Sequence, residues 1–489
     1  MGDLWHEPLL YIDGTRRAAE HGATYANVNP ATEEVLGVAA DASEADIDHA
    51  IGAARRAFDE TGWATDLELR VRCLRQLHAA MVDHQEEIRA MTVAEVGTPV
   101  ALTHGPQLDA PMAFLLYYAD LAESYRWSED LGDDTPMGIA SHRWIEKEAV
   151  GVVGAITAWN FPHQLNLAKI APALAAGNTV VLKAAPATPW SASILGRLAD
   201  ERTDLPPGVL NIITAERNDI GQAITTDPRV DLVTFTGSTA VGRRIMAAAA
   251  ETVKKVFLEL GGKSAAVALD DCDVNTAAGG AAFGVCVHAG QGCAIPTRLL
   301  LPRAMYDEGV EVAKIVLESM PYGDPTDPGN FMGPLVSEVQ RERVDDLVRT
   351  AVDEGATLVT GGRRPEHLDA GWFYEPTLLI DVDPNATIAQ QEVFGPVLAV
   401  IPYDGGDDEA VRIANNSIYG LSGSVTSGDL ERARSVARRI RSGTVTVNGG
   451  IYYSPDVPFG GYRQSGVGRE MGVAGFEEYL EQKAWAEPA

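Results

Sequence analysis

Three short stretches carry side chains suited to covalent chemistry. In AGQGCAIPTR, Cys293 follows two glycines and a glutamine, a composition that lets backbone N–H groups approach a ligand and leaves a thiolate exposed. A cysteine alone is more commonly a small buried hydrophobe, so its neighbours have to decide. In LELGGKS, Glu259 ends an apolar run just ahead of Gly261 and Gly262. A carboxylate there can swing between water and a closed site, or it can simply be a solvated strand-end acid. In AWNFP, Asn160 stands at a strand end before Pro162, a place where asparagine commonly forms a turn.

The elements that must position these residues alternate. From 151 onward come the short apolar runs GVVGAITA, TVVLK at 179, VLNII at 209, DLVTF at 231 and VFLEL at 256, separated by helical patterns at 164–176, 190–202 and 239–250. Buried strands alternating with helices predict an α/β fold with a parallel, doubly wound sheet. Such sheets bind ligands outside the carboxyl ends of their strands, which directs attention to Asn160, Lys183, Gly237 and Glu259. A second alternation after about 262 has strand candidates at 298–302, 357–360, 397–402 and 444–448. Ahead of both, Ser43 and Asp46 resemble a capping box, with Ile47, Ile51, Ala54 and Phe58 on one helical face. The stretch 137–150 alternates like an exposed strand pair and the C-terminal YLEQKAWAE like another edge strand; such edges often pair between subunits.

A chain of 489 residues is expected to form two or three domains. Its 39 basic residues against 69 acidic ones give a net charge of −30, a field that argues against nucleic acid or anionic lipid as partners. Any anionic ligand must therefore be held by local donors, such as a helix start or one placed lysine. Four cysteines, Cys73, Cys272, Cys286 and Cys293, are too sparse for a disulfide scaffold and fit a reducing compartment. Cys286, His288 and Cys293 lie close together, but no fourth ligand supports a metal, and none is expected. No run approaches the roughly 20 apolar residues of a membrane span, and Met1 to Leu10 lacks signal-peptide character. A cytoplasmic location without membrane attachment is the expectation.

Taken together, the three motifs resemble the aldehyde dehydrogenase superfamily over nearly the whole chain. The separations agree with the family pattern, 34 residues from Glu259 to Cys293 and 133 from Asn160 to Cys293. FTGSTAVG at 235–242, QEVFGPV at 391–397 and PFGGYRQSGVGRE at 458–470 match as well. The resemblance implies a Rossmann-type cofactor domain over 1–134 and 150–261 and a second α/β catalytic domain over 262–466. A small β oligomerisation element over 135–149 and 467–489 would make a homodimer or homotetramer. It implies Cys293 as nucleophile, Asn160 as oxyanion donor, and Glu259 as the base that hydrolyses a thioester to the acid. Glu470 would be a proton relay, or else a surface acid beside Arg469.

The resemblance also implies an NAD(P) site. Ala158, Trp159, Gly237, Ser238, Gly242 and Leu260 would line it, Lys183 would reach the adenine ribose, and Glu392 and Phe394 would hold the nicotinamide ribose and ring. No ordinary GxGxxG fingerprint is present. Pro186 replaces the glutamate that many NAD-preferring members carry three residues after the lysine, so NAD is favoured while NADP is not repelled. Phe161, Gln164, Leu165, Ile295, Tyr453 and Phe459 would line the substrate tunnel, with Tyr452, Tyr117 and Tyr118 as further candidates. Arg298 is assigned to a strand rather than the tunnel, so an apolar or aromatic aldehyde fits better than a carboxylated one. The glutamate separates this reading from a CoA-acylating relative, and the intact trio separates it from a non-catalytic protein on the same fold.

Overall fold

The computed structural model describes residues 8–489; the reading of Met1 to Leu10 as lacking a leader falls largely outside the described residues. The first sheet has eight strands. Five run parallel at its centre in the spatial order Lys255–Glu259, Leu232–Thr236, Val152–Ile156, Thr179–Lys183 and Leu210–Ile213. Leu232–Thr236, Thr179–Lys183 and Leu210–Ile213 are buried along their whole length, because helices cover both faces; that is why their sequences are apolar runs and not alternations. The chain builds Val152–Ile156 first, continues to one side, then returns to the other side at Leu232–Thr236. That reversal opens a crevice at the carboxyl ends of these two strands.

Helices Pro162–Ala176 and Trp190–Arg202 follow the strands as predicted, and Glu44–Glu60 begins at a complete Ser43/Asp46 capping box. The second sheet has seven strands, parallel except for its edge Thr357–Thr360. Ala265–Ala268, Thr377–Ile380 and Gly423–Thr426 also belong to this sheet and are not among the strand candidates. The two sheets have separate apolar cores. Cys293 and Ala294 pack against the first, Ile295 against the second, so the Cys293 loop lies in the seam.

A third, antiparallel sheet stands apart from both. Ser141–Ala149 pairs over nine residues with Leu480–Pro488, and Trp144 stacks on Trp485 at 5.6 Å. Its other neighbour is Ser128–Asp134, upstream of the expected start at 135. The acidic SEDLGDD has no apolar alternation, so the sequence pattern could not reveal a strand held by backbone pairing alone. The expected hairpin within 137–150 is thus one strand, with its partner before residue 135. Gly466–Val467 pairs instead with the edge of the first sheet, leaving only the end of the 467–489 segment in the arm.

Close helix–sheet packing beside the crevice depends on Gly154 in Val152–Ile156, where a Cβ would lie 2.3 Å from Ile224 Cγ2. Gly154→Val should therefore destabilise the first domain by about 1–3 kcal/mol through overpacking, measured as a lower urea midpoint at unchanged slope; an unshifted midpoint contradicts the packing argument.

Candidate functional site

The crevice opens into a cavity of about 670 Å³ that reaches the seam between the sheets. Ala158, Trp159 and Asn160 enter it from the end of Val152–Ile156, Gly237 and Ser238 from the end of Leu232–Thr236, and Glu259 and Leu260 from the end of Lys255–Glu259. Cys293 faces the same space from the second domain.

The Cys293 loop follows a left-handed turn in which His288 and Ala289 have φ of 48° and 52°. Non-glycine residues hold such values only where their surroundings impose them. Buried Gln291 supplies much of that constraint: its Nε2 donates to the carbonyls of His288 (3.1 Å) and Pro334 (3.2 Å), and its Oε1 accepts from Val336 N at 2.9 Å. The Asn160 amide reaches across the seam, Nδ2 donating to the Gln291 carbonyl at 3.0 Å. Buried Gln107 completes the clamp, its Nε2 donating to the Asn160 carbonyl at 2.9 Å. Gly262 lets the loop approach, since a Cβ there would meet the Cys293 carbonyl oxygen at 2.4 Å.

The electrostatics of the cavity are one-sided. Burial pushes the Cys293 thiol up, and the carboxylates of Glu392, Glu259 and Glu470 push it further; no cation offsets them. Glu259 is 3 % exposed and neither carboxylate oxygen has a hydrogen-bond partner. Burial and then the Glu470 charge hold it well above the usual carboxylate range. Glu470 is not a surface acid: it is buried, and its Oε1 accepts from Lys169 Nζ at 2.5 Å. Lys169 also donates to Thr234 Oγ1 at 3.1 Å. His288 is buried and held neutral, its pKa lowered to about 3.

The proposed cofactor residues divide into two groups. Ala158, Trp159, Gly237, Ser238, Leu260, Glu392 and Phe394 line the cavity; Lys183 and Gly242 do not. Lys183 ends its strand beside Gly221 and is buried, its pKa lowered to about 8. Gly242 accepts the packing of Leu260 within the helix that Ser238 caps. Trp159 and Phe394 meet edge to face at 5.3 Å. The Phe394 loop is tied to the helix Glu338–Asp353 by Gln340 Nε2 donating to the Phe394 carbonyl (2.8 Å) and Arg343 Nη2 donating to the Glu392 carbonyl (2.7 Å). Glu392 accepts from Gly262 N at 2.9 Å, and burial raises its pKa to about 7. A helix start, an aromatic pair and a buried carboxylate at a strand-order reversal fit a dinucleotide.

Phe161, Gln164, Leu165, Ile295, Tyr452, Tyr453 and Phe459 line the same cavity. Tyr117 and Tyr118 do not: Tyr118 is fully buried and stacks on Phe476 at 6.1 Å. Arg298 belongs to Arg298–Pro302, where it donates to the carbonyls of Lys263, Ile413 and Ala414. Gln107, Lys169, Gln340 and Arg343 escaped the sequence reading. Only Lys169 left a signal, a lone cation in the apolar stretch LNLAKIAPALAA, which demands a buried partner.

The aldehyde dehydrogenase family profile matches residues 17–485. A 3-succinoylsemialdehyde-pyridine dehydrogenase from Pseudomonas sp is 43% identical over 479 residues, covering 97% of each chain. A Mycobacterium tuberculosis aldehyde dehydrogenase in complex with NAD+ superposes with a TM-score of 0.93 at 41% identity, over 98% of both chains. A mutant of aldehyde dehydrogenase C from Pseudomonas syringae, with NAD+ and octanal, gives a TM-score of 0.92 at 39% identity, over 98% of this chain and 96% of that one. The profile spans nearly the whole chain, and the chain therefore belongs to the aldehyde dehydrogenase family, oxidoreductases that convert aldehydes to carboxylic acids.

Proposed function

We propose that the protein oxidises an apolar or aromatic aldehyde to its acid with NAD, using Cys293 as nucleophile and Glu259 as base. The observation that carries this is the pair itself, a thiol and a buried carboxylate without a partner on the walls of one cavity. The Cys293 thiol releases its proton to solvent as its sulfur adds to the aldehyde carbon. The new oxyanion is met by the Asn160 amide and the Cys293 N–H, each donor worth about 3–4 kcal/mol in comparable holes. When bound, NAD supplies a nicotinamide ring that accepts the hydride leaving the thiohemiacetal carbon, so that carbon is oxidised to a thioester. Glu259 then takes a proton from water, the hydroxide adds to the thioester carbon and expels the Cys293 thiolate, and Glu259 returns its proton to that sulfur, which releases the acid and restores the thiol. Glu470 and Lys169 form a buried proton relay beside Glu259.

NAD is favoured over NADP only weakly. Pro186 offers no carboxylate to repel a 2′-phosphate, and Asp219, which acts on Lys183, is engaged by Arg217 at 3.0 and 2.8 Å. The names of the relatives, one acting on a pyridine-bearing semialdehyde and one holding octanal, support an apolar or aromatic substrate. Four free thiols support a reducing, cytoplasmic setting, and among the described residues no helix is long and apolar enough to cross a membrane. The three-stranded arm, with Trp485 of an edge strand stacked on Trp144 of the central one, supports a homodimer or homotetramer.

The assignment is tested by an aldehyde panel with NAD or NADP and no CoA, following reduced cofactor and acid. Activity that requires CoA overturns hydrolysis. Cys293→Ala should abolish turnover, whereas Glu259→Gln should release about one equivalent of reduced cofactor per site and then stall. In the wild type the steady-state rate should climb with pH through the raised Glu259 ionisation, because only the form above it accepts a proton; Glu259→Gln should lose that limb. Gln107→Leu removes the bond that fixes Asn160 and should lower kcat by about 10-fold or more while leaving the NAD dissociation constant unchanged; equal losses in both would make Gln107 a general packing residue.

A further inference from the structure

Six glycines line the active-site cavity, Gly237, Gly261, Gly284, Gly292, Gly423 and Gly450. At five of them a Cβ would meet neighbouring atoms, from 2.3 Å at Gly261, against Glu392, to 3.4 Å at Gly450, against the Val447 carbonyl. At Gly292 it would strike Ile295 Cδ1 at 2.7 Å. Gly284 differs, because nothing lies within 4 Å of where its Cβ would be. It also sits inside the helix Val274–Cys286 and is not among the positive-φ residues, so neither backbone conformation nor close packing calls for glycine there. Glycine is, after proline, the poorest helix former. The missing side chain leaves open space at the cavity wall.

Other residues of the same cavity wall are apolar or aromatic. Val287 lies one turn further along the chain, and Phe161 packs against the neighbouring His288 at 5.3 Å. Tyr452 and Phe459 stack at 6.4 Å with 19° between their planes, and Ile451 contributes a side chain that is 90 % exposed. A planar ring fills a wall indentation and gains face or edge contacts with aromatic neighbours.

Resting on the proposed aldehyde oxidation at Cys293, we infer that the recess at Gly284 seats a planar ring at the far end of the substrate and makes Gly284 the position that selects ring-bearing over small aliphatic aldehydes. Filling the recess then costs the ring its place while the reacting carbon still reaches the thiol.

The test compares Gly284→Leu with Gly280→Leu. Gly280 is on the same helix, also has nothing within 4 Å of its Cβ position, and does not line the cavity. The readout is the ratio of kcat/KM for 3-phenylpropanal and 4-phenylbutanal to that for propanal. Gly284→Leu should lower this ratio by about 10-fold or more, the scale on which hydrophobic pockets discriminate by size, and Gly280→Leu should leave it where it was. An unchanged ratio in Gly284→Leu, or the same fall in both variants, overturns the inference. Calorimetric titration of 3-phenylpropanal into Cys293→Ala, with and without Gly284→Leu, reads the recess without turnover; equal affinities also overturn it. Wild-type protein inactive on every aldehyde would instead refute the proposed function, with the titration still reporting on the recess.

Discussion

The site exists because a strand end from one sheet and a loop from the other close on each other through buried polar contacts. The Asn160 amide donates to the Gln291 carbonyl across that seam, while Gln107 holds Asn160 from behind and Gln291 holds the loop to residues 334 and 336. Each of these groups is buried, so losing a partner would leave an unsatisfied dipole at a cost of about 1–3 kcal/mol. The geometry of the proposed oxyanion donor is therefore fixed by the closure of the two domains and not by its own turn. The same closure puts Cys293 against the first domain's core and Ile295 against the second's.

Closure also determines the electrostatics. Three carboxylates and a thiol face one another around a common cavity; the cations acting on Glu259 are Lys169, already bonded to Glu470, and Arg469, and those acting on Glu392 are Arg343 and Lys263. In this setting the neutral forms of Cys293 and Glu259 are favoured. A thiol kept protonated is a poor target for adventitious oxidation, and an uncharged, unpartnered carboxyl is free to reorient. The pairing of Glu470 with Lys169 confines one negative charge while leaving its influence on Glu259 intact. The chain's net charge of −30 has little bearing on this, because these groups respond first to neighbours a few ångströms away.

The two ends of the cavity are built on different principles. At the cofactor end, backbone positions carry the design: a strand-order reversal, a capped helix, and the Phe394 loop with φ of 61° held by Gln340 and Arg343. Among the residues proposed for the substrate, side-chain volume does, the wall holding several aromatic rings together with the bare Gly284. Backbone architecture tolerates little change, whereas wall residues can vary without disturbing the fold.

The sequence by itself determined the alternation of buried strands and helices, the family through its motif spacing, and the residues that stand at strand ends, because periodicity and glycine-flanked motifs are local and survive as patterns. It could not decide what was buried against what. Glu470 read equally as a surface acid or a relay until Lys169, 301 residues away in the chain, was found bonded to it. Ser128–Asp134 had no pattern to read because its pairing uses backbone groups that every sequence shares. Tyr118 and Tyr453 are both tyrosines near apolar runs, yet one is core and the other cavity wall. Cys293 itself was nameable from its motif, but its protonation, its clamp and its position in the seam follow from long-range packing, which no one-dimensional pattern encodes.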